Sequence, residues 1–415
     1  MSLNLETKSK PSGVERSLGY SLLVVAIAFL GYTFSAMDAG MFGIALPSVA
    51  KSLHISGSAG EYILSIGMAV SVVAGLIIGP LADRFGRRKM LQVVLSFTAI
   101  FSALTAFVGN YVQLALVRAL DQIGLDNVGP SNTLVAEGVS ARVRGLFMGV
   151  MQAGYPVGMA LAGSIAAFFL PNNWRTLFLI AFIPAIVVVL LAFFVKEPRR
   201  FKAAKAERPH KIEWAQMFEK DIRKQTWILL FYTFLINSGI GAQATYFALY
   251  VTSHNHLSAA AAAGLIGITG WIAVASQIFI GILADRIPSK YLLVILPILG
   301  SVGIFVMMGN GGYGSMFLAM TIYALFGNGI YGCLTRYMSE SFPTRVRGTA
   351  ITGLVAIGNI NFVIIPLIGG VLLAAGVPQY VMLIVGLMMV IAGFLMIAGK
   401  VVKPGQELEI VTGEN

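Results

Sequence analysis

A single cysteine, Cys333, stands in 415 residues, so no disulfide can form within the chain. Charge is scarce as well: Asp, Glu, Lys and Arg make up 11% of the residues, against roughly 25% in soluble domains. Acids are the rarer sign, 18 against 29 Lys and Arg. No Gly-x-x-x-x-Gly-Lys-Ser/Thr string cradles phosphate, and no His-Glu-x-x-His pair holds zinc. These absences exclude a disulfide-stapled secreted scaffold, an ATP-driven machine and a charge-rich disordered regulator. In their place are apolar residues, 57% of the chain, at a mean hydropathy of +0.82. A water-soluble globule has no means of hiding that much apolar surface.

A helix crosses a bilayer with about 20 apolar residues. Twelve stretches meet that need: 18–46, 60–80, 90–109, 111–136, 145–170, 175–195, 226–252, 260–283, 291–309, 313–338, 350–375 and 378–399. The expected fold is therefore an all-α membrane protein of twelve transmembrane helices. Most joining loops are short, which makes neighbouring spans antiparallel. The first run is too long for the apolar core of a signal peptide and reads as an anchor. The chain divides into an N-terminal tail (1–17), a six-helix bundle (18–195), a polar linker (196–225), a second six-helix bundle (226–399) and a C-terminal tail (400–415).

With the N-terminus inside, nearly all Lys and Arg fall in the tails and loops of one face, and only Lys51 and Arg175 lie on the other. The positive-inside rule then places both termini and the linker in the cytoplasm, in the plasma (bacterial inner) membrane. The same bias accounts for the net charge of +11 without a nucleic-acid partner. The partner it implies is the lipid bilayer. A monomer is expected, with no metal and no cofactor.

Two motifs repeat. Gly79-Pro-Leu-Ala-Asp83-Arg84-Phe-Gly86-Arg87-Arg88-Lys89 follows span 2, and Gly281-Ile-Leu-Ala-Asp285-Arg286 follows span 8, 202 residues later. Glu137-Gly-Val-Ser-Ala-Arg142-Val-Arg144-Gly145 ends span 4, and Glu340-Ser-Phe-Pro-Thr-Arg345-Val-Arg347-Gly348 ends span 10, 203 residues later. Two motifs at one offset mean two six-helix halves of the same topology. In these residues the chain resembles the major facilitator superfamily. The resemblance implies two bundles around a central cavity that opens alternately to each side, with helices 1, 4, 7 and 10 lining it. It also implies that Gly79, Asp83, Arg84, Gly86, Arg87 and Glu137 form a latch between the bundles. The bland alternative is a solvated basic turn.

Charge at bilayer depth is costly and usually functional. Asp38 in span 1 lies about 12 Å from the outer end at 1.5 Å per residue, and Arg118 enters span 4 from the same side. A buried Asp38–Arg118 pair is expected. At about 100° per residue, Gln122 and Asp126 share a polar stripe with Arg118, while Asp121 flanks it on the other side. Asp38, Asp121 and Asp126 are the candidate proton carriers, and Arg118 is the candidate anion ligand. The Asp38…Pro47 spacing resembles the first helix of organic-anion:proton symporters of the aromatic-acid, sialate and sugar-acid groups. Gln122 stands where the family often has Gly, and Asp126 where it has a small residue. Further polar residues that could line the cavity are Tyr32, Asn237, Gln243, Tyr246, Asn328, Tyr331, Asn359 and Asn361. Arg336 is either a local partner of Glu340, one helical turn away, or a second anion ligand.

The reading that follows is a proton-coupled symporter importing a small organic anion, a carboxylate. The alternative is a proton-driven efflux antiporter. Efflux members carry Gly-Pro steps in span 5, and Gly149–Gly158 has the glycines without them. A non-transporting sensor would need a signalling domain larger than the 196–225 linker.

Overall fold

The computed structural model describes residues 18–55, 57–169, 173–194, 214–247, 250–251, 254–309 and 311–405. The first half contains α1 (Leu18–Ser52), α2 (Gly57–Phe85), α3 (Arg87–Thr105), α4 (Tyr111–Asp121), α5 (Val128–Gly138), α6 (Arg144–Gln152), α7 (Gly154–Phe169) and α8 (Trp174–Leu191). The second contains α9 (Arg223–Gly241), α10 (Ala259–Ala284), α11 (Ser289–Met307), α12 (Tyr313–Ile322), α13 (Tyr331–Ser341), α14 (Arg347–Asn359), α15 (Asn361–Ala374) and α16 (Gln379–Met396). Each of the twelve expected spans coincides with a helix or with two helices laid end to end.

Nine described helical stretches are long and apolar enough to cross a membrane on those grounds alone. Spans 3, 4 and 7 fall short for a chemical reason. α3 opens on Arg87-Arg88-Lys89, span 4 carries Arg118, Asp121 and Asp126, and α9 opens on Arg223-Lys224. Large apolar side chains such as Phe107, Leu367 and Val371 are more than half exposed around the periphery, where lipid is their solvent. Each half keeps its own core. One cluster, including Leu229, Tyr232, Leu293 and Met338, fills the second bundle, and the first is filled by clusters around Val25, Phe42 and Val94.

The repeat extends to where the helices break. Span 4 tightens into a 3-10 turn over Gln122–Asn127. Span 10 breaks at the matching level, with a wide π turn over Tyr323–Gly327 and a 3-10 turn over Asn328–Ile330. A second π turn, Ala242–Tyr246, closes α9 in span 7. Such irregular turns in membrane helices are tolerated where the backbone faces protein or a cavity. The 100° spacing therefore holds from Arg118 to Gln122 and no further.

The described end of the linker belongs to the second bundle. Trp214–Phe218 forms a short turn, and the Trp214 ring sits so close to Gly353 of α14 that a Cβ there would meet it at 2.2 Å. Met217 is buried, and its carbonyl accepts the Thr226 hydroxyl at 2.5 Å. Glu219 holds Arg345 at 2.5 Å.

Candidate functional site

The bundles meet on the basic face through two crossed helix caps. Asp83, near the end of α2, accepts the backbone N–H groups of Gly348 at 3.1 Å and Thr349 at 2.6 Å, and the Thr349 hydroxyl at 2.8 Å. Those amides are donors that the first turn of α14 leaves without helical partners. A carboxylate there also meets the positive end of the helix dipole. The other half repeats the arrangement. Asp285 accepts the N–H groups of Gly145 at 2.7 Å and Leu146 at 2.9 Å, at the start of α6. Behind the caps, Arg347 reaches Glu137 at 2.7 Å and Arg144 reaches Glu340 at 3.2 Å, both across the bundle boundary.

A further arginine completes each cap, and here the halves differ. Asp83 has Arg87 on its own side at 3.0 Å, and Arg87 also donates to the Thr344 carbonyl at 2.8 Å. Asp285 has Arg336 at 2.6 Å, with Glu340 holding the same guanidinium at 2.9 Å. Gly86 turns the chain from α2 into α3 at φ 111°, a left-handed value that favours glycine. Gly79 allows the close approach, since a Cβ there would lie 2.8 Å from the Thr349 Cα. Gly281 does so in the other half, where a Cβ would lie 2.5 Å from the Gly145 carbonyl oxygen.

Beyond this seal lies a cavity of about 810 Å³. Its wall runs from Gly129, Gln277 and Thr352, next to the seal, to Ile44, Leu64, Ser164 and Ile266 near the opposite face. Of the residues expected to bind solute, Tyr32, Arg118, Gln122, Gln243, Asn328, Tyr331 and Asn359 all line it.

Arg118 is the centre of the charged part. Its Nη1 lies 2.9 Å from Asp38 Oδ2, and its Nη2 lies 3.0 Å from Asp121 Oδ2. The Ser102 hydroxyl donates to the other oxygen of Asp38. The guanidinium carbon sits 4.3 Å from the centre of the Phe42 ring and 5.6 Å from that of Phe178. Arg118 reaches the cavity wall, and the two carboxylates lie behind it. On the second bundle, neutral groups form a chain. Tyr331 donates to Asn237 at 2.5 Å, Asn237 to Asn359 at 3.2 Å, and Asn328 to Gln243 at 3.0 Å. Tyr32 packs against Tyr155 with ring centres 5.7 Å apart.

Three expectations change. Arg336 is no cavity ligand, because Asp285 and Glu340 occupy its guanidinium in the seal. Tyr246 is buried in packing: its ring lies against Gly369, and its hydroxyl donates to the Pro378 carbonyl at 3.2 Å. Arg84 is exposed, lying over the Phe85 ring at 5.2 Å, and takes no part in the caps. The Asp126 side chain lies outside the described residues. Conversely, Asp285, Arg144, Arg347 and Glu340 join the seal although sequence reasoning had left them out of it. The signal for Arg144, Arg347 and Glu340 was present in the repeated Glu-x6-Arg-Gly strings, and that for Asp285 in the second copy of the loop motif. Gln152, Tyr155, Gln277, Thr335 and Thr352 join the cavity wall with no signal beyond being polar in apolar helices.

Two bundles sealed by crossed caps on one face, with a central cavity holding a buried charge cluster, define a multi-pass membrane transporter rather than an enzyme. The chain belongs to the Major Facilitator Superfamily, whose profile matches residues 28–352. Among its relatives is the cis,cis-muconate transport protein of Acinetobacter baylyi, 26% identical over 84% of this chain and 87% of that protein. The gallate transporter of Pseudomonas putida is 26% identical over 86% of each chain. The 4-hydroxybenzoate transporter of Acinetobacter baylyi is 27% identical over 85% of each. Among solved structures, the proton:xylose symporter XylE bound to 6-bromo-6-deoxy-D-glucose superimposes with a TM-score of 0.81. That match covers 95% of this chain and 98% of XylE at 18% identity, and it speaks to the fold alone.

Proposed function

We propose that this protein imports a small organic anion, a carboxylate, together with protons. The observation that carries the proposal is the bracketing of Arg118 by Asp38 and Asp121. With all three ionised, the cluster has a net charge of −1. An incoming carboxylate at Arg118 adds a second uncompensated negative charge in a place poorly solvated by water. Anion binding therefore favours a proton on Asp38 or Asp121, and proton uptake favours anion binding. This mutual preference is the thermodynamic content of symport. The relatives that carry muconate, gallate and 4-hydroxybenzoate support an organic-acid substrate.

In this proposal the basic face is cytoplasmic, in the bacterial inner membrane. The crossed caps of Asp83 and Asp285 are then a latch that holds the cytoplasmic side shut while the cavity faces outward. Release of the caps would let the bundles rock and open the cavity inward. The test is uptake of a carboxylate panel into proteoliposomes with and without an imposed inward proton gradient. Accumulation above equilibrium only with the gradient supports symport. Accumulation that ignores the gradient would overturn it.

A further inference from the structure

We propose that Asp121 is the carboxyl that carries the transported proton, and that Ser102 of α3 is the positioning residue that keeps Asp38 ionised. This deepens the symport reading above and rests on it. The two aspartates flank one guanidinium, yet their surroundings differ. Asp38 accepts a hydrogen bond on each oxygen, from Arg118 Nη1 at 2.9 Å on Oδ2 and from the buried Ser102 hydroxyl on Oδ1. Asp121 has neither. Its Oδ1 is buried without a hydrogen-bond partner, and Arg118 Nη2, 3.0 Å from its Oδ2, is not aligned for a hydrogen bond. Donors favour the ionised form of the carboxylate that receives them. A proton on Asp38 therefore weakens two hydrogen bonds, whereas a proton on Asp121 gives up one loosely aimed ion contact.

No other described charge faces the cluster. α2 and α3 pack against α4, and their described charged side chains, Asp83, Arg84, Arg87, Arg88 and Lys89, stand at the basic face. Lys51 ends α1 and Arg175 opens α8 at the opposite face, where Arg175 donates to the Val108 carbonyl at 2.9 Å. The tyrosines of the helices around the cluster, Tyr32, Tyr62 and Tyr111, are neutral where aspartates titrate. The side chains of Glu61 and Asp126 lie outside the described residues.

Protonation of Asp121 also prepares Arg118 for the anion. A proton from the outer water forms an O–H bond on Asp121, and the ion contact with Arg118 Nη2 lapses. That nitrogen turns to the incoming carboxylate while Nη1 stays on Asp38. The loaded cluster holds one positive charge on Arg118 and one negative charge each on Asp38 and the anion, the same net −1 as the empty, fully ionised cluster. One proton thus accompanies one monoanion without changing the buried charge. When the anion leaves, Nη2 returns to Asp121, which gives up its proton on the other side. A proton needs only a momentary water contact, and Arg118 and Gln122, before and after Asp121 in the chain, both line the cavity.

Infrared spectroscopy of the purified full-length protein tests this without any solute, because a protonated carboxyl has a C=O band that an ionised one lacks. Asparagine variants alone do not separate the two sites: with either aspartate gone, the other is the sole counter-charge of Arg118 and keeps its own charge. Glutamate variants retain every charge and move only the band of the residue that bears the proton. Of the wild-type carboxyl bands that grow as pH falls, one should move in Asp121→Glu and none in Asp38→Glu. In Asp121→Glu the aspartic and glutamic bands are separate. Adding Ser102→Ala there should raise the aspartic share about tenfold or more, and adding Ser102→Thr should not. A band that moves with Asp38→Glu, or an aspartic share unchanged by Ser102→Ala, overturns this inference and leaves symport standing. So does the absence of any band from either residue, and if uptake also ignores the proton gradient, both readings fall. Should Asp121→Glu fail to fold, a band lost in Asp121→Asn and unmoved in Asp38→Glu takes its place, and any other pattern overturns the assignment.

Discussion

Asp83 and Thr349 sit 266 positions apart in the chain, yet the carboxylate takes both the backbone N–H and the hydroxyl of the threonine, at 2.6 and 2.8 Å. This contact crosses from one bundle to the other, so it exists only while the basic face is shut. Asp83→Asn removes the charge that Arg87 pairs with and leaves one acceptor oxygen for the three donors of α14. Loss of charge-assisted bonds worth about 1.5–3 kcal/mol should shift the population about 10- to 100-fold toward the state open on that face. Turnover should fall while the affinity for substrate changes little, because Asp83 does not touch the cavity. Initial-rate uptake paired with equilibrium binding separates the two quantities. A large loss of affinity at unchanged maximal rate would count against the latch.

Arg118 spans two carboxylates with two different nitrogens and sits over the Phe42 ring. Lysine keeps the charge and loses both the fork and the flat face. Arg118→Lys should lower uptake by roughly tenfold or more and weaken binding with it. Near-normal uptake would reduce Arg118 to a simple counter-charge.

The two aspartates should separate in their effects. Asp38→Asn removes the carboxylate that Arg118 and Ser102 both hold, and it should abolish gradient-driven accumulation while sparing exchange of substrate for substrate. Asp121→Asn makes the ionised cluster neutral instead of −1. In the wild type, anion affinity should decline as pH rises and the cluster loses its proton. In Asp121→Asn that decline should be much shallower. Counterflow assays and binding isotherms across pH 5.5–8.5 check both, and undiminished accumulation in each variant would remove the cluster from proton coupling.

The seam of α6 and α10 leaves no room for a side chain at Gly281, whose added Cβ would stand 2.5 Å from a backbone oxygen. Gly281→Val should wedge the basic face open. Cys333 is the sole cysteine and is buried, so an introduced Thr335→Cys reports with little background. Its reaction with an impermeant maleimide applied from the basic face should rise severalfold in the valine variant. Equal labelling would show that the seam tolerates the bulk.

The fold was legible because a bilayer imposes length and apolarity on every crossing, and because two motifs recurred at one spacing. Asp38 and Arg118 were legible for the complementary reason: ions in apolar helices have few partners to choose from. The second cap was harder to see. Its loop copy, Asp285-Arg286, lacks the arginine four residues on, and the missing charge comes from Arg336 on a different helix. Sequence spacing offered only the local partner, Glu340. The turns at Gln122–Asn127 and Tyr323–Ile330 carry no hydropathy signal, since a tightened or widened turn is as apolar as a regular one. Gln152 and Gln277 were invisible because an isolated amide in a membrane helix is ordinarily packing between helices.

The Trp214 ring pressed onto Gly353 has one more consequence. The connection between the halves is already docked on the second of them before α9 begins, and Arg345, two residues ahead of the helix that Asp83 caps, is held by Glu219. Severing the polypeptide ahead of Trp214 would leave the trailing fragment with its brace in place. The leading fragment would then have to find its mate by complementary recognition alone, acid to helix start and arginine to glutamate. Two separately synthesised halves would carry these matching contacts for each other.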